Sequence, residues 1–565
     1  MRPIPLRLLS AFLLPALLLA CSEEHSSKPV PEKTTGSPAA ESVPVESAET
    51  QPAAAAEPSA APSPSVSPAP SKLWGEAGEL WTPQSRLPDF SHAGYKGGEP
   101  VPDVPVAANV KEFGAVGDGV ADDTGAIRKA IAAVPSGAVL LPAGRYKITD
   151  RLVINKPGVV LRGEGPDATT LYMPKSLLEI ERGAAFEGLA PFKNPFSFGG
   201  AFVEIEATSP APPLTKVTAD ALRGDRTLTV ENAATIKPGM PVHLWMAANP
   251  ELGRHLHADM MDISRNVFGR GKKYYTDWVA NITAVEGNTV TLDRPLRTDV
   301  RVRWSPELRA FSPKITGSGV EGMTFEFAGR EKREHLMEEG FNAVELQTVA
   351  DCWVRNLRII DADIGVLVSD SRFCTIENIE LTADKRPGIV EEDVTGITGH
   401  HGLWATGFAQ DNLFQNFVFK TKFHHDLSVE NFANGNVFRR GRGPMINLDH
   451  HCLAPYENLF TDIQTDDISR IWRASGAAPR LPHTAARTTV WNLRYETGVL
   501  RYRGKTEKPF PPEWPQLNVI GFRRLPEKAG GEGTWIEPLP GGVLPPDLYE
   551  AQRAARMKAQ PNDTP

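Results

Sequence analysis

Three pairs of adjacent histidines are the feature of this 565-residue sequence best suited to chemistry. The pairs are His400 with His401, His424 with His425, and His450 with His451. Together they account for six of the chain's 13 histidines, and the carboxylates of Asp426 and Asp449 stand beside the second and third pairs. Imidazoles and carboxylates are common proton-transfer groups in enzymes, and both also bind metal ions. The sequence therefore predicts an acid–base or metal-binding patch, provided that the fold brings the pairs together.

A regular repeat indicates that the fold does so. The first two histidine pairs are 24 residues apart, which is also the separation of Asn412 from Asn436. The segment that begins at Cys352 recurs 22 residues later from Cys374, and the Asn-x-Phe sequence of Asn436 recurs 22 residues later at Asn458. A period of about 20–50 residues is typical of solenoids, in which equivalent positions stack on successive turns. The histidine pairs are therefore expected on neighbouring turns of one face.

Alternation within each strand then assigns side chains to the core or to the surface, because successive residues of a strand point to opposite sides. Leu427 and Val429 are assigned to the core, so Asp426 and Ser428 are expected to face outward. The same rule is expected to expose His400, Gly402, Trp404, Asn447, Asp449 and His451. The candidate catalytic residues are His400, His401, His424, Asp426, Asp449, His450 and His451. The candidate substrate-binding residues are Lys420, Arg439, Arg440 and Arg473, with Trp404 as a platform for a sugar ring.

Three kinds of chemistry fit such a patch. In β-elimination on a uronic acid, a cation neutralises the carboxylate, a neutral imidazole removes the α proton, and an acid protonates the leaving oxygen. In glycoside hydrolysis, Asp426 and Asp449 would supply the two carboxylates that flank the scissile bond. A divalent cation is the third alternative, since six imidazoles and two carboxylates suit Zn²⁺. Adjacent histidines lack the spacing of a helical HExxH site, so no metal ligands and no cofactor are assigned from the sequence.

Composition indicates which elements hold the patch. The 50 Pro and 48 Gly residues disfavour long helices. Residues 109–134 are expected to form a short strand, a Gly-rich turn and a helix, with Asp122, Asp123 or Thr124 as the helix cap. Further short strands are expected at 139–146 and 159–165. The fold class is therefore predicted to be all-β, with one helix near the start.

This strand–turn–helix pattern resembles the beginning of the pectate-lyase-like superfamily, in particular its rhamnogalacturonase- and epimerase-like members. The resemblance implies a single-stranded right-handed parallel β-helix with an N-terminal capping helix, acting on an extended polysaccharide. Residues 399–402, Gly-His-His-Gly, are similar to the Gly-His-Gly element of polygalacturonases, but the Asn-Thr-Asp and Arg-Ile-Lys motifs of those enzymes are missing. The Arg-containing signature of calcium pectate lyases is missing as well. The leading hypothesis is a polysaccharide lyase, with a glycoside hydrolase and a non-catalytic glycan-binding or structural protein as alternatives.

The repeat and its interruptions divide the chain. Residues 73–213 are expected to hold an N-terminal segment and the first coils, and residues 302–525 the main β-helix with the patch. Between them, residues 214–301 show short alternating strands without the repeat, which indicates an inserted small β module. The turn that includes the loop at 388–400 is about 16 residues longer than the repeat, and the loop carries the acidic Glu391, Glu392 and Asp393, so it is expected to form a lid or rim. Residues 526–565 are expected to form a C-terminal strap.

The N-terminus indicates where the protein works. Residues 1–20 carry Arg2 and Arg7 before an apolar run, as in a signal peptide, and the run ends at Cys21. This ending resembles the lipobox of bacterial lipoproteins, which implies a lipid on Cys21 and a place in the bacterial cell envelope. Residues 21–72, rich in Pro, Ala and Ser, are expected to be a disordered tether. The net charge of −8 gives no electrostatic reason to expect a nucleic-acid partner, so polysaccharide and membrane are the expected partners.

Overall fold

Successive strands of the chain wind into a right-handed parallel β-helix with three parallel sheets, here called faces A, B and C. The computed structural model describes residues 67–182, 195–247, 249–258, 274–392, 394–475, 484–501, 511, 514–523 and 533–559. The predicted signal peptide, Cys21 and nearly all of the predicted tether lie outside the described residues. The β-helix confirms the predicted fold class.

From Gly137 to Arg473, each turn of the coil contributes to all three faces. Face A contains Val106–Asn109, Gly137–Leu141, Val159–Gly163, Leu413–Gln415, Val437–Arg439, Leu459–Thr461, Thr489–Trp491, Asn518–Phe522 and Trp535–Pro538. Face B contains Asp118–Asp122, Gly144–Lys147, Thr169–Met173, Val418–Phe419, Arg442–Gly443, Gln464–Asp467 and Arg494–Thr497. Three long strands bend from face A into face B: Gly319–Phe327, Trp353–Ile360 and Thr375–Thr382. Face C contains Leu152–Ile154, Val203–Glu206, Asn342–Gln347, Ile364–Ser369, Val394–Thr406, Lys422–Val429, Leu448–His450 and Trp472–Arg473.

The residue lags of the sequence correspond to paired positions in the coil. Leu413 pairs with Val437, which pairs with Leu459 on the next turn. The neighbouring rings of Phe414, Phe438 and Phe460 stack inside the coil, with centroids 4.4 and 5.0 Å apart. The amides of Asn412, Asn436 and Asn458 form a second, buried ladder, here called the Asn ladder. Its side chains satisfy backbone groups where the chain turns from face C into face A, which is why Asn recurs there. The Cys352 and Cys374 thiols, stacked on the same corner, are both free and buried.

Helices close and flank the coil. The helix Thr124–Ala133 packs Ile127, Ala130 and Ile131 onto the main core at the first turns, as the predicted capping helix should. A short helix spans Leu177–Arg182, and another spans Pro250–His257. The helix Leu548–Ala559, in the predicted C-terminal strap, packs Leu548 and Tyr549 against face A. In the part of the chain that the structure describes, none of the helices has the length and apolar character needed to cross a bilayer.

An antiparallel module interrupts the coil between Val203–Glu206 and Gly319–Phe327. Its six strands are, in spatial order, Pro213–Lys216, Glu307–Ala310, Pro241–Ala247, Tyr274–Glu286, Thr289–Leu292 and Thr227–Thr229. The last of these in sequence, Glu307–Ala310, lies beyond the expected end of the module at residue 301, because it pairs antiparallel with Pro213–Lys216 instead of joining the coil. Buried ion pairs join the module to the coil, with Arg294 and Arg297 on Asp411 and with Asp277 on Arg372. Outside the module, Ala69–Pro70 pairs with Val543–Leu544, and Ile389–Glu391 forms a hairpin with Val394–Thr406.

Candidate active site

Three neighbouring strands of face C carry the histidine pairs. They are Val394–Thr406, Lys422–Val429 and Leu448–His450, and they pair in parallel. His401 lies opposite His425, and Ser428 lies opposite Asp449 on the next turn. His335, from the segment before Asn342–Gln347, also packs its ring against this group. The six residues His335, His400, His401, His424, His425 and His451 are called the histidine cluster below.

Gly402 explains why His401 and Trp404 both face away from the coil interior. A Cβ atom on Gly402 would lie 2.3 Å from the Phe419 ring and 2.7 Å from the Asp426 carbonyl oxygen, so this position points inward. Leu403 also belongs to the core, which makes two consecutive inward residues and breaks the strict alternation. The alternation rule therefore predicted an outward Gly402 wrongly. The consequence is that the rings of His401 and Trp404 stack on each other outside the core, with centroids 3.9 Å apart.

An inner layer of the cluster consists of His400, His401 and His425. Their ring centroids are 4.3 to 5.3 Å apart, and all three residues are at most 1% exposed. The Nδ1 atom of His401 is 2.9 Å from the Ser428 hydroxyl, so one ring nitrogen is held in place. Burial lowers the pKa of each of these imidazoles well below the usual range, and the neighbouring histidines lower it further. The inner rings are therefore neutral at pH 7.

Asp449 connects the inner layer to His451. Its Oδ2 atom is 2.8 Å from His451 Nδ1 and 3.0 Å from His425 Nδ1, and its Oδ1 atom accepts the backbone N–H of Ser475. Burial alone would raise the pKa of this carboxyl, but His451 and Arg473 hold it below the usual range. Asp449 is thus an ionised, buried acceptor that orients imidazole rings, the arrangement that fixes a histidine tautomer in proton-transfer sites.

An outer layer brings charge to the cluster. The guanidinium of Arg473 donates to both oxygens of Glu392, at 2.7 and 2.9 Å, while its Nε lies 3.2 Å from His425 Nδ1. His424 lies between Glu391, 2.6 Å from Nδ1, and Arg473, 2.6 Å from Nε2. Burial, followed by Arg473, lowers the pKa of His424. Glu391 and Glu392 come from the hairpin at Ile389–Glu391, where the sequence predicts a lid or rim.

The outer layer is more accessible than the inner one. His335 is partly exposed, and burial lowers its pKa to about 4. The side chain of Arg473 is 13% exposed and that of Glu392 is 63% exposed, whereas His425 is fully buried. A ligand from solvent would therefore meet Arg473 and Glu392 before it reached the inner imidazoles.

Two predicted catalytic residues lie outside the cluster. Both oxygens of Asp426 are occupied, since they accept the backbone N–H groups of Phe423 and Asn447 and the Asn447 amide. Burial raises the pKa of Asp426 to about 6, and the carboxyl faces Arg470 instead of the histidines. Asp426 lies opposite Gly402 on the neighbouring strand, where the alternation is broken. It is buried, so the expectation that it faces solvent is wrong. His450 points into the coil, with its ring 4.0 Å from the Trp514 ring.

Three predicted substrate-binding residues lie on other faces of the coil. Lys420 pairs with Glu380 on face B. Arg439 and Arg440 both pair with Asp547 at the start of the C-terminal helix. The coil turns away from face C between these positions, so nearness in sequence to the histidines does not bring them near in space. Trp404 lies in the cluster but is only 3% exposed, so its ring is covered by His401 and is not an open platform for a sugar. Arg473 lies in the cluster as expected.

The candidate lists from the sequence omit three residues of the site. His425 could have been included, because it lies 24 residues after His401, the same lag as the Asn ladder. Ser428 faces outward as alternation predicts, but nothing in the sequence indicates its contact with His401. His335 is a single histidine in a segment without the repeat, so no pattern points to it.

Several parts of the cluster also have the composition of a metal site. Within the described residues, four sets of three side chains hold potential ligand atoms within 4.8 Å of one another. These sets are His335, His424, His425; His400, His401, His425; His425, Asp449, His451; and Glu430, His451, Cys452. His425 belongs to three of the four, which makes it the centre of the potential ligand network.

Comparisons with known proteins concern the first coils. Residues 107–183 match the family model described as rhamnogalacturonase A/epimerase, pectate lyase-like. Mannuronan C5-epimerase AlgE4 of Azotobacter vinelandii is 43% identical over 74 residues, which are 12% of this chain and 13% of the epimerase. The chain thus matches only about an eighth of the length of that relative. Residues 107–183 contain no histidine, so this match does not include the cluster.

Solved structures resemble the whole coil more loosely. The tailspike gp61 of Pseudomonas phage phi297 has a TM-score of 0.41 at 13% identity, covering 73% of this chain and 66% of the tailspike. The A-module of the Azotobacter vinelandii mannuronan C5-epimerase AlgE6 has a TM-score of 0.31 at 12% identity, covering 73% of this chain and 80% of the module. Residues 107–183 are thus similar to the rhamnogalacturonase A/epimerase, pectate lyase-like family, and the three parallel faces form a parallel β-helix.

Proposed function

We propose that this protein is a polysaccharide lyase that cleaves a uronic-acid polymer by β-elimination at the outer layer of the histidine cluster. The observation that carries the proposal is the combination of Arg473, which already binds a carboxylate through two parallel hydrogen bonds, with the hydrogen-bonded Asp449 and His451. Together these residues provide a cation for the substrate carboxylate and a base for the neighbouring proton.

Arg473 is the proposed carboxylate-binding residue. Planar two-point contact between guanidinium and carboxylate is strong and specific in orientation. Glu392 occupies this position from an exposed hairpin, so a uronate carboxylate can replace it with the same two hydrogen bonds. Neutralising that carboxylate stabilises the negative charge that develops when the adjacent C5 proton leaves.

His451 is the proposed base. Its Nδ1–H donates to Asp449, so the basic lone pair lies on Nε2 and the ring is fixed in one tautomer. In the reaction, Nε2 takes the C5 proton, the C5–H electron pair becomes the C4–C5 double bond, and the C4–O bond breaks. The leaving oxygen then takes up a proton, which yields a new chain end and an unsaturated uronate.

C5 epimerisation is a second candidate, favoured by the 43% identity over 74 residues to mannuronan C5-epimerase AlgE4. Both reactions begin with removal of the C5 proton beside a neutralised carboxylate. They differ afterwards, because the epimerase returns a proton to the opposite side of the sugar ring and the C4–O bond stays intact. The same residues therefore support either outcome.

A glycoside hydrolase that uses Asp426 with Asp449 is less well supported. A hydrolase needs one carboxyl that donates a proton and another that activates water or attacks the sugar. Asp426 instead accepts three N–H donors, and Asp449 is engaged by His451 and His425. Neither group has an oxygen turned to a substrate.

The proposal is tested by incubating the purified chain with separate uronate polymers: polymannuronate, polyguluronate, polygalacturonate and polyglucuronate. β-Elimination predicts ultraviolet absorbance from the unsaturated product together with new reducing ends. Epimerisation predicts deuterium uptake at C5 in heavy water without either signal, and hydrolysis predicts reducing ends without absorbance. His451→Ala should abolish the signal, while the control His255→Ala, at an exposed position of the inserted module, should retain it. Binding without any of these changes would favour the non-catalytic alternative.

We also propose that Cys21 carries a lipid and that the protein is anchored in the bacterial cell envelope, where it would meet extracellular polysaccharide. The support is the lipobox-like sequence before Cys21. Growth with a labelled fatty acid should label the wild-type chain but not Cys21→Ala. Equal labelling of the wild-type chain and Cys21→Ala would contradict a lipid anchor at this residue.

A further inference from the structure

The inner layer of the histidine cluster has a geometry that proton transfer at His451 does not require. His400, His401 and His425 each offer a ring nitrogen, and the three atoms lie within 4.8 Å of one another. His335 Nε2 lies 3.1 Å from His400 Nε2 at the edge of this group, but His335 forms a set of potential ligands only with His424 and His425. Zn–N bonds of about 2.0–2.1 Å in a tetrahedron place ligand nitrogens ~3.4 Å apart, so small ring rotations would bring the three inner-layer nitrogens to one ion.

Oxygen atoms stand at the second nitrogen of each inner ring. His401 Nδ1 is 2.9 Å from the Ser428 hydroxyl, and His425 Nδ1 is 3.0 Å from Asp449 Oδ2. His400 Nδ1 is 3.5 Å from a carboxylate oxygen of Glu338. Metal-binding histidines typically donate their other N–H to such an oxygen, which fixes the ring and makes the ligand nitrogen more basic. The surroundings of His401 and His425 thus match the outer shell of a metal site, whereas His400 Nδ1 has no hydrogen-bond partner among the described residues.

His425 supplies the second, independent observation. Its Nε2 atom is completely buried and has no hydrogen-bond partner within the described part of the chain. A buried polar atom left in this way costs about 1–3 kcal/mol, so native structures rarely keep one without a reason. Nδ1 already faces Asp449 Oδ2 at 3.0 Å and Arg473 Nε at 3.2 Å, which leaves Nε2 as the ring nitrogen that a bound cation would satisfy.

The chemistry of the donors selects the kind of ion. Neutral imidazoles suit Zn²⁺, Cu²⁺, Ni²⁺, Co²⁺ and Fe²⁺, whereas Ca²⁺ and Mg²⁺ require a shell made almost entirely of oxygen ligands. The ionised carboxylate of Asp449 stands behind the His425 ring, where it balances charge. We propose that His400, His401 and His425 bind one transition-metal dication of the Zn²⁺ class.

The test measures metal binding directly and needs no substrate, so its result is independent of the proposed lyase reaction. The full chain is stripped with a chelator and titrated with Zn²⁺ and with Co²⁺, whose visible absorption reports nitrogen ligation in a tetrahedral site. We expect about one equivalent of either ion per chain, a higher Tm with Zn²⁺, and no displacement by excess Ca²⁺. Stoichiometric metal in the protein purified without chelator would agree.

Two variants and a control locate the site. His425→Gln should weaken binding by more than about 100-fold, because losing a ligand exceeds the roughly 10–100-fold effect of losing an outer partner. Ser428→Ala, which keeps every ligand, should weaken it by about 10–100-fold. His255→Gln should bind like the wild type, and circular dichroism verifies that each variant is folded. A folded wild-type chain that binds neither ion stoichiometrically, a folded His425→Gln chain that binds normally, or displacement by Ca²⁺ would overturn the proposal.

Discussion

The role of each histidine in this site depends on what holds its second ring nitrogen. Asp449 holds Nδ1 of His451, which gives a fixed base near the accessible layer. Ser428 holds Nδ1 of His401 in the buried layer, where a neutral ring is better suited to bind a cation than to reach a substrate. His450, which follows Asp449 directly, points into the core. Adjacent histidines of one pair therefore have different environments and different uses.

Arg473→Lys tests two-point recognition of a carboxylate. Lysine keeps the positive charge but cannot form two parallel hydrogen bonds, so we expect kcat/KM on the uronate polymer to fall by about 10–100-fold, equal to ~1.4–2.7 kcal/mol. Steady-state rates of product absorbance measure it. Arg494→Lys is the matched control, since Arg494 is a half-exposed guanidinium that pairs with Asp462 on face B. Equal losses in both variants would contradict a specific role for Arg473.

Sequence alternation could predict part of the site at this scale and not the rest. Ser428, Asp449 and His451 lie on the side of their strands away from the core, as alternation predicts, but neighbouring side chains bury them, so the expected exposure is wrong. Gly402 and Asp426 break the pattern, since Gly402 must point inward against Phe419. The absence of a Cβ makes this close approach available, but nothing in the sequence distinguishes it from an ordinary outward glycine.

Among the elements, the Asn ladder holds the turns of the coil in register. The backbone N–H of Asn412 donates to Asn436 Oδ1, and that of Asn436 donates to Asn458 Oδ1. The Asn436 amide also donates to the Ala409 carbonyl oxygen. Since the strands on face A after these residues are only three residues long, the side chains supply pairing that the strands themselves do not.

Asn436→Ala should therefore destabilise the coil without a change at the histidine cluster. It leaves the Asn412 N–H and the Ala409 carbonyl without this partner, and we expect the free energy of unfolding to fall by about 2–4 kcal/mol. Urea unfolding followed by circular dichroism measures it. The control is Asn232→Ala, at an exposed asparagine of the inserted module, which should lower the free energy of unfolding by less than about 0.5 kcal/mol. If Asn436→Ala lowered the free energy of unfolding by as little as the control does, the Asn ladder would not be a main source of stability.

The hairpin at Ile389–Glu391 places Glu392 on the guanidinium of Arg473. Glu392→Gln keeps the shape of the side chain but removes the charge that competes with a substrate carboxylate. We expect KM for the uronate polymer to decrease severalfold with kcat nearly unchanged, measured with the same absorbance assay. Glu380→Gln, which alters a carboxylate on face B, is the control. An unchanged KM would mean that substrate does not replace Glu392.

For the whole molecule, buried neutral histidines make stability depend on pH. Burial lowers the pKa of His450 to about 3, whereas an imidazole in the unfolded chain has a pKa of about 6.5. Between these values the unfolded state binds a proton that the folded state does not. The free energy of unfolding therefore falls as the pH drops through this window, by up to about 1.4 kcal/mol per pH unit for this one group.

His450→Leu should remove that contribution. We expect the free energy of unfolding of this variant to fall less steeply with decreasing pH than that of the wild type. Below about pH 6 the difference in slope corresponds to about one bound proton. Above about pH 7 both forms are neutral, so any difference there is constant and reflects packing alone. Urea unfolding at a series of pH values measures both parts. Equal slopes in this acidic range would contradict a buried, neutral His450.

Architecture was more predictable than contacts between distant segments. The 22- and 24-residue lags predict the coil because each turn repeats the same local sequence, and face C then gathers the histidine pairs. The contacts of Asp411 with Arg294 and Arg297 carry no such signal, since they join an inserted module to a coil turn more than 100 residues later. His335 is equally unpredictable, because its position depends on a loop without a repeat.

The inserted module has a consequence for how the chain is made. Gly319 pairs with Val160, although 159 positions separate the two residues, whereas Trp353 pairs with Thr375 over 22 positions and Leu413 with Val437 over 24. Closing the longer loop costs only ~1.8 kcal/mol more, because loop entropy grows with the logarithm of length. At a synthesis rate of about 5–20 residues per second, however, the strand Val159–Gly163 waits roughly 8–32 s for its partner. During that interval the first turns present an unpaired strand edge on the nascent chain, so they depend on their own helix and core until the ribosome has delivered the rest.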